Sequence, residues 1–256
     1  MSDPSASLIV RLRRQTLERD PRGYHVWRVH EEPVTLPAAE TALLLCDVWD
    51  THTCRGAIER LEAMLPRMVE VVDAARRRGV QIVHAPSDTM AFYADHPARQ
   101  RVRAAPAVEP PADRPHDDPP LPVAADDPCD TDDNPGMAPD GKHPWTRQNA
   151  AIAIDPDRDA ISDSGRELYS FYGQRGIRHV LIMGVHTNMC VLHRTFAIKQ
   201  LVRWGLAPAL VRDLTDTMYN PAVPPYVDHD EGTRLVVGYI EKFWCPTLDS
   251  GALLSG

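Results

Sequence analysis

One stretch constrains this chain most: an apolar run that passes through a glycine and turns straight into a helical pattern. His179-Val180-Leu181-Ile182-Met183-Gly184-Val185 has the length and composition of a buried parallel strand. His186-Thr187-Asn188-Met189 follows, and Thr187 and Asn188 are both good helix N-cap residues. From Cys190 onward, Val191, Phe196, Leu201 and Trp204 recur at three- to five-residue steps until Gly205 stops the run. A thiol in the first turn of such a helix lies beside unpaired N–H groups, which favour the reactive thiolate. The competing reading of Cys190 is a small buried hydrophobe.

The same alternation occurs upstream. Thr41 to Cys46 reads as a strand ending in Asp47, and a helix is expected from about Ala57 to Arg78, with Leu61, Met64, Leu65, Met68, Val71 and Val72 on one face. Gly79 caps it, and Val80 to Val83 form the next strand, running into His84. Further strands are expected near Ala150 to Ile154 and at Ala209 to Val211. Helices are expected at Ser164 to Arg175 and Gly232 to Phe243. The fold class is therefore α/β: a doubly wound three-layer sandwich with a mostly parallel central sheet and a long proline-rich insertion. Ligands of such sheets sit beyond the carboxyl ends of the strands, where Asp47, His84, Cys190 and Asp213 converge.

Residues 1–40 read as an N-terminal extension with a basic segment (Arg11, Arg13, Arg14) and an edge strand at Tyr24 to Val29, and residues 41–256 as a single domain. Between Pro106 and Pro144 lie 11 of the chain's 24 prolines, mixed with aspartates. This stretch, part of an insertion over about 89–146, cannot build its own core. Both its ends are tied near Cys190, so it is expected to form an ordered flap over the pocket or to cross to a neighbouring subunit. The net charge of −8 argues against a nucleic-acid partner, and no apolar run is long enough to span a bilayer. Residues 1–20 carry arginines and no apolar stretch, so no secretory leader is expected and the location is read as cytoplasmic. The odd set of five cysteines, at 46, 54, 129, 190 and 245, suggests no disulfide framework, and no CxxC pair suggests structural zinc.

Leu43-Leu44-Leu45-Cys46-Asp47, followed by Gly184-Val185-His186-Thr187-Asn188-Met189-Cys190-Val191, resembles the isochorismatase-like cysteine hydrolases. That superfamily includes nicotinamidases and carbamoyl-amide and ureide hydrolases, and the likeness covers about residues 41–88 and 150–245. It implies that Cys190 attacks a carbonyl carbon to give a thioester, with Asp47 as the proton carrier. It implies a cis bond at Val185–His186 and an oxyanion hole made by the N–H groups of His186 and Cys190. The family's usual lysine has no counterpart at its position. Arg147 is the preferred substitute, Arg158 is expected to point to solvent, and Lys142 is the reserve. Trp49, His84, Trp145 and His186 are candidates for the substrate pocket.

No cofactor is expected. Asp50, His52 and His84 could ligate a metal by residue type, but Asp50 and His52 do not map onto the metal ligands of nicotinamidases, and none is assigned. The expected activity is a cysteine-dependent, nicotinamidase-like amidohydrolase acting on a small amide, ureide or carbamoyl compound, in a homo-oligomer. The alternatives are an isochorismate-like vinyl-ether hydrolase, or a non-catalytic relative that binds a small molecule or a protein.

Overall fold

The computed structural model describes residues 6–126, 128–131 and 143–254. Eight strands form one sheet: β1 (Ser7–Arg19), β2 (His25–Pro37), β3 (Thr41–Cys46), β4 (Gln81–Ala85), β5 (Ala160–Ile161), β6 (His179–Val185), β7 (Ala207–Asp216) and β8 (Thr247–Leu248). Their order is β2-β1-β8-β7-β6-β3-β4-β5. All neighbours from β8 to β5 run parallel; only β1 pairs antiparallel, with β2 and β8. The helices are α1 (Arg55–Arg77), α2 (Pro97–Arg103), α3 (Gly165–Arg175), α4 (Cys190–His193), α5 (Ile198–Arg203), α6 (His229–Phe243) and α7 (Gly251–Leu254).

The three layers follow from the two-residue period of the strands. In β3, Ala42, Leu44 and Cys46 join a core with Leu168 and Phe171 of α3, Leu201 of α5 and Val236 and Ile240 of α6. Leu43 and Leu45 point the other way, into a core with Leu61, Met68 and Val72 of α1 and Leu253 of α7. Burial on both faces is why β3 and β6 read as unbroken apolar runs. Gly184 has φ +122°, and a Cβ there would stand 2.0 Å from the carbonyl oxygen of Cys46. Only glycine lets β6 approach β3 this closely at the edge where the site lies.

Several elements differ from the sequence-based expectation. The expected strand at Tyr24 to Val29 belongs, from His25 on, to the longer edge strand β2, and the strand before it was not anticipated. Its signal was the alternation of Leu8 and Val10, both buried, with exposed neighbours. Ala150 to Ile154 is a turn rather than a strand, and pairing is taken up later by Ala160–Ile161 beside β4. The single helix expected from Cys190 to Trp204 is two short ones, because Arg194 leaves helical geometry at ψ 152°. β7 extends past Asp213 to Asp216, with a register shift against β6 between Ile182 and Gly184. Asp213 therefore does not sit at a strand end. It accepts hydrogen bonds from the Ser250 backbone and hydroxyl, at 2.8 and 2.6 Å, and plays no part in the site.

The insertion leaves β4, forms α2 and then runs over the outer helices. Val108 bonds Ser170 of α3, Asp118 bonds Lys199 of α5 and Tyr239 of α6, and Val123 enters the core. These contacts lie on the helical flank of the sheet rather than over the pocket. The aspartate-rich part at 132–142, with Lys142, lies outside the described residues. Cys54 and Cys129 form a disulfide, where the odd set of five cysteines suggested no disulfide framework. They are 75 residues apart, so no sequence spacing signals the pairing; the fold of the insertion brings them together.

Candidate active site

Asp47 ends β3 in the left-handed region, at φ 49°, with its side chain fully buried. Its Oδ1 accepts the Ser87 N–H at 2.7 Å, and its Oδ2 accepts from Nε of Arg194 at 3.1 Å. The Cys190 thiol donates a third hydrogen bond to the same carboxylate. Cys190 opens α4 directly after the His186–Met189 turn, and the His186 N–H points at its sulfur. The Val185–His186 peptide is cis. Asp47, Cys190 and Arg194 thus form one contiguous cluster across the ends of β3 and β6.

The electrostatics follow from burial. Burial pushes the Asp47 carboxyl above its ordinary value, while Arg194 and the hydrogen bonds from Cys190 and Ser87 pull it back. The Cys190 thiol is pushed up to about 12, by burial first and by Asp47 second. This reverses the expectation of a thiolate favoured by a helix N-terminus, since a four-residue helix has little dipole to offer and the carboxylate beside the sulfur opposes a second negative charge. The resting pair is a neutral thiol hydrogen-bonded to a carboxylate. Arg194 is held more firmly protonated than a free arginine by Asp47 and Cys190, against the opposing effect of its own burial.

The cations proposed from sequence lie elsewhere. Arg147 approaches Asp50, at 3.8 Å, and stacks over Phe92, with half of its side chain exposed. It does not meet Asp47, because the Trp49–Gln148 bridge and the Asp50 N–H bond to its carbonyl fix its backbone beside Asp50. Arg158 pairs with Asp155 on the surface, as expected. The group missed was Arg194, although a signal was present: four residues beyond Cys190, it falls on the same side of one helical turn.

His84 is the second correction. It is fully buried between Gln148, at 2.8 Å, and Asp159, at 3.0 Å, so both ring nitrogens are taken up by protein partners and it does not line the site. It anchors the return of the insertion. Burial raises the Asp159 carboxyl, but hydrogen bonds from His84 and Arg76 outweigh it and leave it at about 2. A carboxyl depressed in the folded state contributes stability that is full above its unfolded value and is lost as pH falls through its folded one. Its contribution is about 2 kcal/mol near neutrality. Asp159→Ala, which also strands two buried partners, is expected to lower unfolding stability by about 3 kcal/mol or more. A urea midpoint unchanged from wild type at pH 7 would refute this.

Trp49 and Trp145 stack at 4.2 Å, with His143 on the outer face of Trp145 at 4.5 Å. The Trp49 indole donates to the Ser87 carbonyl, which links the stack to the loop that also binds Asp47. His52 lies beside Trp145 and meets the His186 ring edge-on at 4.9 Å. Burial keeps both imidazoles neutral, at about 4 for His52 and about 3 for His186. Asp50 is engaged by Thr146 through its backbone and hydroxyl, at 3.0 and 2.7 Å. Asp50, His52 and His84 are therefore not gathered around a common point.

The sequence profile of the isochorismatase domain matches residues 41–222, most of the chain. The chain belongs to the isochorismatase family. Solved structures share this fold of the family. A cysteine hydrolase from Pseudomonas syringae pv. phaseolicola superposes with a TM-score of 0.52 at 14% identity, covering 85% of this chain and 92% of that one. An isochorismatase from Pseudomonas putida superposes at 0.50 with 9% identity, over 84% and 90% of the two chains. No curated protein is matched. The β1–β2 hairpin precedes the residues matched to the family, and no helix among the described residues is long and apolar enough to cross a membrane.

Proposed function

We propose that this isochorismatase-family hydrolase cleaves a C–N bond of a small amide, ureide or carbamoyl compound through a thioester on Cys190. The observation that carries this reading is the shared carboxylate, which holds the thiol proton and is itself held by a cation. As the Cys190 sulfur attacks the carbonyl carbon, its proton passes to Asp47, so a free thiolate is never needed. The oxyanion would be met by the N–H groups of His186 and Cys190. Collapse breaks the C–N bond, and the proton on Asp47 leaves with the amine. A water molecule then attacks the thioester, giving its proton to Asp47, and the thiol is restored as the acid departs.

Arg194 takes the place of the family lysine as the cation that keeps Asp47 ionised and oriented. Arginine matches that task, as it stays protonated and spans Asp47 and Asp88 with one planar group. The non-catalytic alternative drew its support from the missing lysine, and Arg194 weakens that support. The vinyl-ether alternative gives the Cys190–Asp47 contact no role. A cytoplasmic homo-oligomer remains part of the proposal.

A panel of small amides, ureides and carbamoyl compounds assayed for ammonia release tests the reaction, with intact-mass detection of an acyl adduct on Cys190. No release from any member, with no adduct, would overturn it. For the cation, Arg194→Ala is expected to lower kcat about 100-fold, the scale of losing a partner that tunes a general base. Arg147→Ala is expected to stay within about twofold, as an exposed surface pair contributes little. The reverse ranking would return the role to Arg147.

A further inference from the structure

Beyond the sheet edge, the insertion is fastened at one place by a dense set of contacts that the proposed reaction leaves unused. Cys129 is joined to Cys54, the residue immediately before α1. Next to it, Arg60 forks onto both oxygens of Asp130 at 2.9 and 3.1 Å, His229 meets Asp130 at 3.2 Å, and the Thr131 hydroxyl accepts the Gly56 N–H at 2.7 Å. Asn220 donates to the Cys129 carbonyl at 3.0 Å.

The fastening touches the active-site turn from two sides. The Cys54 N–H donates to His52, whose ring rests on His186. Arg60 also holds Asp216 at 2.9 Å, and the Asp216 carbonyl accepts the Thr187 N–H at 2.8 Å. Having run over the outer helices, the chain meets the segment after β3 here, at Cys54, and Trp145 is stacked on Trp49 of that same segment.

We propose that the Cys54–Cys129 disulfide is a redox-operated latch, holding the insertion across the carboxyl edge of the sheet and opened by thiol–disulfide exchange with a small dithiol or dithiol protein. One thiolate of the dithiol attacks the half-buried Cys129 sulfur; Cys54 is almost fully enclosed. The S–S bond breaks, and Cys54 leaves and takes a proton. The dithiol's second sulfur then closes its own disulfide and releases Cys129 as a thiol. Two electrons and two protons have passed to the protein. What remains is a noncovalent network, the Arg60 fork and His229 on Asp130, which holds the proline- and aspartate-rich strap but can open and reclose where a covalent bond cannot. While closed, the disulfide denies a metal its two sulfurs, the only His, Cys, Asp or Glu group among the described residues close enough to ligate one together with Asp130. The latch is independent of the reaction proposed for Cys190 and uses that residue only as a reporter of access.

The test compares full-length wild type, air-oxidised or treated with dithiothreitol that is then removed, with a Cys54→Ser/Cys129→Ser protein. Non-reducing peptide mapping of the oxidised protein is expected to link residues 54 and 129 and leave Cys46, Cys190 and Cys245 free. Reduction is expected to speed proteinase K cleavage between residues 105 and 131, and alkylation of Cys190 by iodoacetamide, by roughly tenfold, as both follow local opening. The double variant should match the reduced protein in either buffer; if it fails to fold, the two wild-type states carry the comparison. Free thiols at both 54 and 129 after air oxidation, or equal cleavage and alkylation in the two wild-type states, would overturn the proposal.

Discussion

The Cys190→Ala protein is expected to fold normally and to release no ammonia from any amide that the wild type hydrolyses. Three cysteines are free, and of these Cys46 and Cys245 are enclosed in the core between the sheet and its helices, beyond the reach of a substrate. Cys190 alone combines partial exposure with a hydrogen bond to a carboxylate. Cys190→Ser should be nearly as inactive, since a hydroxyl in this setting is far harder to deprotonate than a thiol. Losing the nucleophile of a covalent mechanism removes the chemistry rather than weakening it, so the drop should reach the assay background. The melting temperature checks the other half: a small side chain at the rim of the core is replaced by a smaller one, and the change should be slight. Hydrolysis retained by purified Cys190→Ala protein would rule the thioester out.

Asp47→Asn is expected to be almost as damaging, lowering kcat by about 10²–10⁴-fold, the range that general acid–base catalysis supplies. Asparagine can accept only one of the Arg194 and Ser87 hydrogen bonds, which fall on different oxygens of Asp47, and it cannot take the thiol proton. Burial, the largest cause of the raised Cys190 value, remains in the variant and still disfavours an unassisted thiolate. The pH profile of the wild type gives the same carboxylate a second readout. Below the Asp47 value the base is protonated and inactive, so the rate climbs as pH rises through it. Because burial holds that value above the ordinary 3.8, the acid limb should be displaced upward from a solvent-exposed carboxylate. Asp47→Asn should abolish the limb along with most of the rate. A loss below tenfold, or an acid limb surviving unchanged in the variant, would leave Asp47 a purely structural role.

The central frame of this protein was legible in its sequence because burial on both faces leaves a strong local signature. The β3 and β6 runs are unbroken from Ala42 to Cys46 and from Val180 to Val185, and α1 shows its stripe at helical spacing. Asp47 stood out as the polar residue where such a run stops, and Cys190 as a thiol where the helical pattern begins after the turn that follows β6. Gly184 belongs here too, its missing Cβ being what allows the two strand ends to meet. These are properties of a chain segment and its immediate neighbours.

What the sequence left open depends on contacts between distant segments. The identity of the cation was decided by where the chain turns after Cys190: Arg194 leaves the helix and lies over Asp47, 147 residues away. Arg147 was drawn off to Asp50 by the pairing of Trp49 with Gln148. His84 stands at a strand end as expected, yet the returning insertion places Gln148 and Asp159 on its two nitrogens and takes it out of the site. The pairing of Cys54 with Cys129 has the same origin, an insertion without periodicity whose path is set by the surfaces it crosses. Local pattern determined the strands, the helices and the two residues at their ends. Tertiary packing alone decided which side chains those two residues would meet, because hydrogen bonds and ion pairs depend on distances that no sequence spacing encodes.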